Sequence, residues 1–404
     1  MDYNQASLDK HKERGGKIEI KSKFGPIENR DDLSVAYTPG VAAVSKLLAQ
    51  DPRAALEYSI KGNTIAVVSD GSAVLGLGNI GPLGALPVME GKALLFKEYG
   101  GVDAFPIVLA SQETEEIIRT VEQIAPTFGG INLEDISAPR CFEIERRLSE
   151  KLEIPVFHDD QHGTAIVVLA AIINSLKLTG KEKDKIKVVI SGAGAAGIAS
   201  AKLLLAWGVE SIVMVDSEGI IYRGRNNLNW IKEEMALVTN KERKTGTLKE
   251  AMEGADVFIG VSAPNIVDRN MVAGMNKGAV VLAMANPVPE IMPLEAKAGG
   301  ALIVGTGRSD FNNQINNLLA FPGVFRGLLD ARISKVTDSM KIAAAEAIAG
   351  CVGENELSNE MIVPSPLNKT VTQKVAESII GIAQETNNQL DGLKNKTAPH
   401  VISV

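Results

Sequence analysis

The run Ile186–Ile190 leads without interruption into Ser191-Gly192-Ala193-Gly194-Ala195-Ala196-Gly197. A β-branched strand running straight into G-x-G-x-x-G demands a tight strand-to-helix turn. The first glycine permits the turn, the second lets a backbone approach a pyrophosphate, and the third lets helix and strand pack closely. The free N–H groups at the start of the helix favour an anion. The next strand, Ser211–Val215, ends at Asp216, nineteen residues beyond Gly197. That is close to the spacing of about 20 residues for a ribose-binding acid. Gly192, Gly194, Ala195, Ala196, Gly197 and Asp216 are therefore the expected dinucleotide contacts. Asp216 favours NAD by repelling a 2′-phosphate, whereas Arg223 and Arg225 could pair with one, so NAD and NADP both stay open.

A second G-x-G-x-x-G, Gly76-Leu-Gly-Asn-Ile-Gly81, lacks this context, because the strand after it ends in Leu109-Ala110 with no acid. It reads as a backbone-rich loop near a reaction centre.

The same alternation of short apolar strands and longer helical stretches covers most of the chain. Strands are predicted at Thr64–Ser69, Ala104–Leu109, Gly130–Leu133 and Ile154–Phe157, then at Ile186–Ile190, Ser211–Val215, Val257–Gly260, Ala279–Ala283 and Leu302–Val304. Helices are predicted at Val41–Gln50, Leu83–Tyr99, Glu113–Ile124 and Ala138–Lys151, and after Phe321 at Val324–Ile333, Ser339–Gly350 and Lys369–Thr386. Such alternation implies parallel sheets. The expected fold is α/β with two domains. Residues 1–163 form a substrate- and metal-binding unit, and residues 164–404 form a Rossmann-type unit with C-terminal helices. The boundary is placed at the start of a long apolar helix after Gly163.

Composition narrows the class further. With 38 glycines and 4% aromatics among 404 residues, the chain suits many tight strand-to-helix turns better than a β-sandwich. A net charge of −7 argues against nucleic acid as a main partner. Two cysteines exclude a disulfide framework and point to the cytoplasm. The longest apolar run, Ala165–Ile173, falls far short of the roughly 20 residues of a membrane span.

Two strands of the first unit end in paired acids, Glu134-Asp135 and Asp159-Asp160. Strand ends of a parallel sheet converge on a binding crevice. Clustered carboxylates there repel one another unless a cation intervenes, and oxygen ligands select Mg²⁺ or Mn²⁺. Helix capping is the competing reading of these acids. Tyr37 lies in a turn-rich stretch. Lys92 lies within an apolar helical run, where desolvation would draw its pKa towards neutrality. A packed surface tyrosine and a snorkelling lysine are the alternatives.

Taken together, several motifs make the chain resemble the short bacterial malic enzymes. They are Ala36-Tyr-Thr-Pro-Gly-Val41, Val68-Ser-Asp-Gly-Ser72, Leu133-Glu-Asp-Ile136, Phe157-His-Asp-Asp-Gln-His-Gly-Thr164, Gly305-Thr-Gly-Arg-Ser-Asp310 and Phe321-Pro-Gly323. The resemblance implies oxidative decarboxylation of L-malate to pyruvate and CO₂ with NAD or NADP, and also decarboxylation of oxaloacetate. It implies Lys92 as general base and Tyr37 as general acid. Glu134, Asp135 and Asp160 are implied as ligands of Mg²⁺ or Mn²⁺, with Asp159 beside Lys92. Asn286 is implied at the substrate and cofactor, Asn317 at the substrate, and the assembly is implied to be a homodimer. Larger relatives carry Arg where Ala73 stands, so the contact to a substrate carboxylate must come from other groups. Three rivals remain: a malolactic enzyme, a non-catalytic dinucleotide-binding regulator, and an amino-acid dehydrogenase.

Overall fold

The computed structural model describes the backbone of residues 3–397, residue 75 excepted, and side chains as far as residue 386. Two parallel sheets organise the chain. In the first, β1 (Thr64–Ser69), β2 (Asp103–Val108), β3 (Gly130–Leu133) and β4 (Val156–His158) lie in the order β2-β1-β3-β4. All pairs are parallel, with Ile65 opposite both Ala104 and Gly130, and Ile131 opposite Val156. Parallel pairing requires a crossover helix between neighbours. The helices Gly81–Gly100, Thr114–Ile124 and Arg140–Lys151 provide these crossovers.

In the second sheet, β5 (Lys187–Ser191), β6 (Ser211–Asp216), β7 (Gly219–Ile220), β8 (Val257–Gly260), β9 (Val280–Ala283) and β10 (Ile303–Thr306) lie in the order β10-β9-β8-β5-β6-β7. The order reverses at β5, the switch point where doubly wound sheets bind ligands. The architecture is the expected two-domain α/β fold. Only β7 is antiparallel. It is a two-residue strand, too short for periodicity to reveal.

The long apolar helix spans Asp159–Thr179 and starts directly after β4. It begins five residues earlier than expected, so residue 164 falls inside it. Its first turn carries Asp159 and Asp160, favourable at a helix N-terminus. Among the described residues it is the one helix long and apolar enough to cross a membrane, yet it is mostly buried within the protein. It packs against the helices Ala195–Trp207 and Asp338–Ala349 of the second unit. One apolar core consequently runs through both sheets. Phe96, Phe157, Phe321 and Phe325 pack together within it, with Phe96 4.6 Å from Phe321 and 5.3 Å from Phe325 between ring centroids.

The N-terminal helices Tyr3–Arg14, Arg30–Ala36 and Val41–Gln50 bury no residue. Ile20, Phe24, Leu33, Val35 and Tyr37 are exposed on this segment.

Phe325 is fully buried against Phe96 and Phe157. Phe325→Ala is expected to lower stability by about 3–5 kcal/mol through cavity formation. Urea denaturation followed by circular dichroism measures this.

Candidate active site

The acids after β3 and β4 meet at the carboxyl end of the first sheet. Oxygens of Glu134, Asp135 and Asp160 lie within 4.8 Å of one another. Asp135 adopts left-handed backbone geometry with φ 53°, a strained conformation for a non-glycine residue. Its N–H donates to Asp160 Oδ2 at 2.8 Å. Asn132 Nδ2 donates to Glu134 Oε2 at 2.8 Å. These contacts orient the acids towards one another, and helix capping does not explain that arrangement.

Lys92 projects into the cluster from the Gly81–Gly100 helix. Its Nζ lies 2.6 Å from Asp159 Oδ2 and 2.9 Å from Glu134 Oε1. The Phe321 ring centroid is 4.2 Å away. Asn317 Nδ2 also donates to Asp159 Oδ2. One ammonium is therefore shared between two carboxyl groups in a buried setting. Burial acts to lower the Lys92 pKa, but Asp159 and Glu134 outweigh it and hold the ammonium above its ordinary value. This corrects the expectation that desolvation alone would draw Lys92 towards neutrality. On the acids, burial wins over the attraction to Lys92. Burial raises Glu134 and Asp160 above the usual carboxyl range, and pushes Asp159 up to about 7. Burial also holds His158, fully enclosed behind Asp159, down at about 4.

The loop after β1 carries the Val68–Ser72 motif, but the sequence assigns Asp70 no role. Asp70 is fully buried and receives Arg140 Nη2 at 2.6 Å. Ser72 Oγ donates to Asp70 Oδ1 at 2.6 Å, and Ser137 N–H donates to Ser72 Oγ at 2.9 Å. Ala73 N–H donates to Asp135 O at 2.9 Å. This clasp ties the β1 loop to the loop that carries Asp135. An acid at the end of a third strand was the available signal. Nothing in the sequence marked Arg140 as its partner.

The fingerprint glycines occupy the positions their spacing implies. A Cβ on Gly192, at φ +112°, would lie 2.5 Å from Val261 O, and one on Gly197 would lie 1.9 Å from Gly192 O. A Cβ on Gly194 would meet only open space. Ala195 and Ala196 open the helix that follows. Asp216 borders the same crevice with Ser217 and Glu218. Both its oxygens are engaged, by Arg225 at 2.9 and 2.5 Å and by Lys232 Nζ at 2.7 Å. Burial would raise its pKa, but these two cations hold it at about 2. Arg225 is thus the partner of Asp216, and Arg223 is exposed.

Asn286 is exposed where the two units face each other, and a Cβ on Gly76 would lie 2.4 Å from its carbonyl oxygen. The second glycine-rich loop therefore abuts the second unit at the candidate site. Tyr37 is not brought to the cluster. The residue is 67% exposed, and among the described residues no hydrogen bond joins it to Lys92.

Residues 16–149 match the model of the malic enzyme N-terminal domain, and residues 161–384 match that of the malic enzyme NAD-binding domain. The chain belongs to the malic enzyme family. A bifunctional malic/malolactic enzyme of Bacillus subtilis is 55% identical over 96% of this chain and 94% of its own length. An NAD-dependent malic enzyme of Geobacillus stearothermophilus is 56% identical over 92% of this chain and 77% of its own. The crystal structure of an NAD-dependent malic enzyme from Thermotoga maritima superposes with a TM-score of 0.90 at 50% identity, covering 93% of this chain and 99% of that one. This malic enzyme oxidatively decarboxylates malate with NAD or NADP.

Gly163 lies one helical turn beyond Asp159. A Cβ there would fall 1.8 Å from Asp159 Oδ1 and 3.2 Å from Asn317 Cβ. Asp159 cannot yield without leaving Lys92. Gly163→Ala is expected to reduce malate turnover at least about tenfold, a barrier increase of about 1.4 kcal/mol. Unchanged circular dichroism beside steady-state kinetics distinguishes this loss from unfolding.

Proposed function

We propose that this enzyme converts L-malate to pyruvate and CO₂ in a metal-dependent reaction, with Glu134, Asp135 and Asp160 as ligands and Lys92 as general base. The observation that carries the proposal is the convergence of three carboxyl groups beside the buried Lys92–Asp159 pair. The donor set fits a hard divalent ion, because it offers only oxygen and burial raises Glu134 and Asp160. A bound Mg²⁺ or Mn²⁺ would supply a Lewis acid at the C2 oxygen and the enolate, and NAD(P)⁺ the hydride acceptor.

Lys92 takes the C2 hydroxyl proton through Nζ, which Asp159 aims into the cluster. Its proton affinity falls as Glu134 and Asp160 commit their charge elsewhere. Asn317 holds Asp159, and Asn286 orients the substrate from the second unit. The surrounding phenylalanines exclude water, which strengthens each of these interactions. Tyr37 delivers a proton to C3 of the enolate. The same cluster supports decarboxylation of oxaloacetate, the intermediate oxidised at C2. Residues 1–163 serve substrate and metal, and residues 164–404 serve the dinucleotide.

The exposure of Tyr37 on an apolar segment with no buried residue supports a homodimer in which Tyr37 acts at the partner's Lys92. Malolactic chemistry is the second reading, favoured by the bifunctional Bacillus relative. Lactate formed from malate with catalytic NAD would establish it.

Two outcomes are expected. Tyr37→Phe and Lys92→Ala homodimers should each lose most turnover. Mixed and re-associated, they should recover towards about a quarter of wild-type activity, because half the dimers then hold one intact site. No recovery would place both residues in one chain. Separately, Mn²⁺ affinity measured by calorimetry should fall as pH drops from 8 to 6. Carboxyl groups raised towards neutrality take up protons there, and protons compete with the ion. Asp160→Ala should abolish the binding at every pH.

A further inference from the structure

A second buried acid lies on the opposite side of the cleft, and the reaction above does not use it. Glu290 is fully buried in the dinucleotide unit, four residues beyond Asn286. Its Oε1 accepts the Ser262 N–H at 2.9 Å and the Ser262 hydroxyl at 3.4 Å. Its Oε2 accepts the Ala285 N–H at 3.0 Å. No ion pair engages it among the described residues. A carboxyl group enclosed without a counter-charge carries a desolvation penalty, and burial raises its pKa accordingly. Its two oxygens are satisfied instead by donors from two separate loops.

These contacts give it a role. Ser262 follows β8 and borders the dinucleotide crevice with Ser191, Gly192 and Ala263. Its hydroxyl also lies 3.1 Å from Ser191 Oγ at the end of β5. Ala285 follows β9 and immediately precedes Asn286, whose carbonyl abuts Gly76 of the first unit. One carboxylate therefore joins the ends of β5, β8 and β9. On one flank it sets the floor of the dinucleotide crevice, and on the other it sets the backbone that presents Asn286. The chain leaves room for it, since a Cβ on Gly260 would lie 2.4 Å from Glu290 Cδ.

The geometry points to Glu290 as a positioning residue that holds the dinucleotide floor and Asn286 in one register, so that cofactor and malate bind at a common distance. This rests on the malic enzyme reading of the cleft. A glutamine is not an equivalent. Its two ends are one acceptor and one donor, so its NH₂ must face either the Ser262 or the Ala285 N–H. An N–H left unsatisfied in the interior drives the loop that carries it to shift.

The test uses the full-length enzyme and three variants. The dissociation constant of NADH or NADPH, whichever wild type binds more tightly, is read by nucleotide fluorescence without malate or metal. Malate KM, kcat and Mn²⁺ affinity are measured beside it. Glu290→Gln is expected to weaken reduced-nucleotide binding about tenfold, equivalent to about 1.4 kcal/mol. It should raise malate KM by a comparable factor and leave Mn²⁺ affinity unchanged. Glu290→Asp keeps the charge but falls one methylene short, so it should lie between wild type and Glu290→Gln. Ser262→Ala removes the hydroxyl bridge to Ser191 and keeps the N–H, so it should weaken the nucleotide alone. Variants that lose thermal stability but keep nucleotide affinity and malate KM within twofold would overturn the inference, leaving Glu290 a packing element. Wild type that neither binds the nucleotide nor turns over malate would instead overturn the reading of the cleft itself. If Glu290→Gln fails to fold, the Glu290→Asp and Ser262→Ala constants decide.

Discussion

The buried ammonium of Lys92, shared between Asp159 and Glu134, is the constraint on which the rest of the site depends. Carboxyl groups gathered at one end of a parallel sheet, out of water, oppose one another and resist ionisation. The Gly81–Gly100 helix brings a single positive charge to the point where β3 and β4 deliver their acids. The attraction holds three separate elements together. A buried pair of this kind adds little net stability, because desolvation offsets most of its Coulomb energy. What it contributes is geometry: the first turn of the Asp159–Thr179 helix and the Glu134 loop must stay in reach of one Nζ.

That geometry extends into the second unit. The helix that carries Asp159 and Asp160 also packs on the helix opened by the dinucleotide fingerprint. Asn317, from the far end of the chain, closes on Asp159, and Phe321, just beyond it, lies against Lys92. The acidic cluster and the glycine-rich turn are thus two ends of one packed body. Neither could drift without disturbing the common core. Glu290 is the counterpart across the cleft. It is an acid satisfied by N–H donors, where the Lys92 cluster is held by an ammonium.

The parts legible in the sequence were those with a local signature. Strand ends followed by acids, and glycines at fixed spacing, are short-range patterns with a direct physical reading. β1, β3 and β8 consequently have the bounds their apolar runs suggest. Features that depend on a distant partner were not legible. Asp216 has the spacing of a ribose acid, but Arg225 and Lys232 occupy its oxygens. Lys92 looked like a lysine to be neutralised by burial, because the sequence does not show which acids reach it. The Asp70–Arg140 clasp and the Glu290 contacts arise between residues far apart or in loops without periodicity. The Asp159–Thr179 helix begins earlier than its apolar run, because its polar first turn carries no apolar periodicity.

The N-terminal segment follows from the same physics read in reverse. Its helices lack an inward face, and its apolar side chains point outward from a chain that otherwise encloses an extensive core. Several large apolar side chains exposed on one segment suit an association surface. The segment also bears Tyr37, the proposed acid, which makes no hydrogen bond to Lys92, the proposed base, among the described residues. The proposed homodimer would account for both features at once, covering the exposed apolar side chains and bringing the proposed acid to the proposed base of the other copy. A closed two-fold arrangement would do so symmetrically, because each copy would then both give and receive.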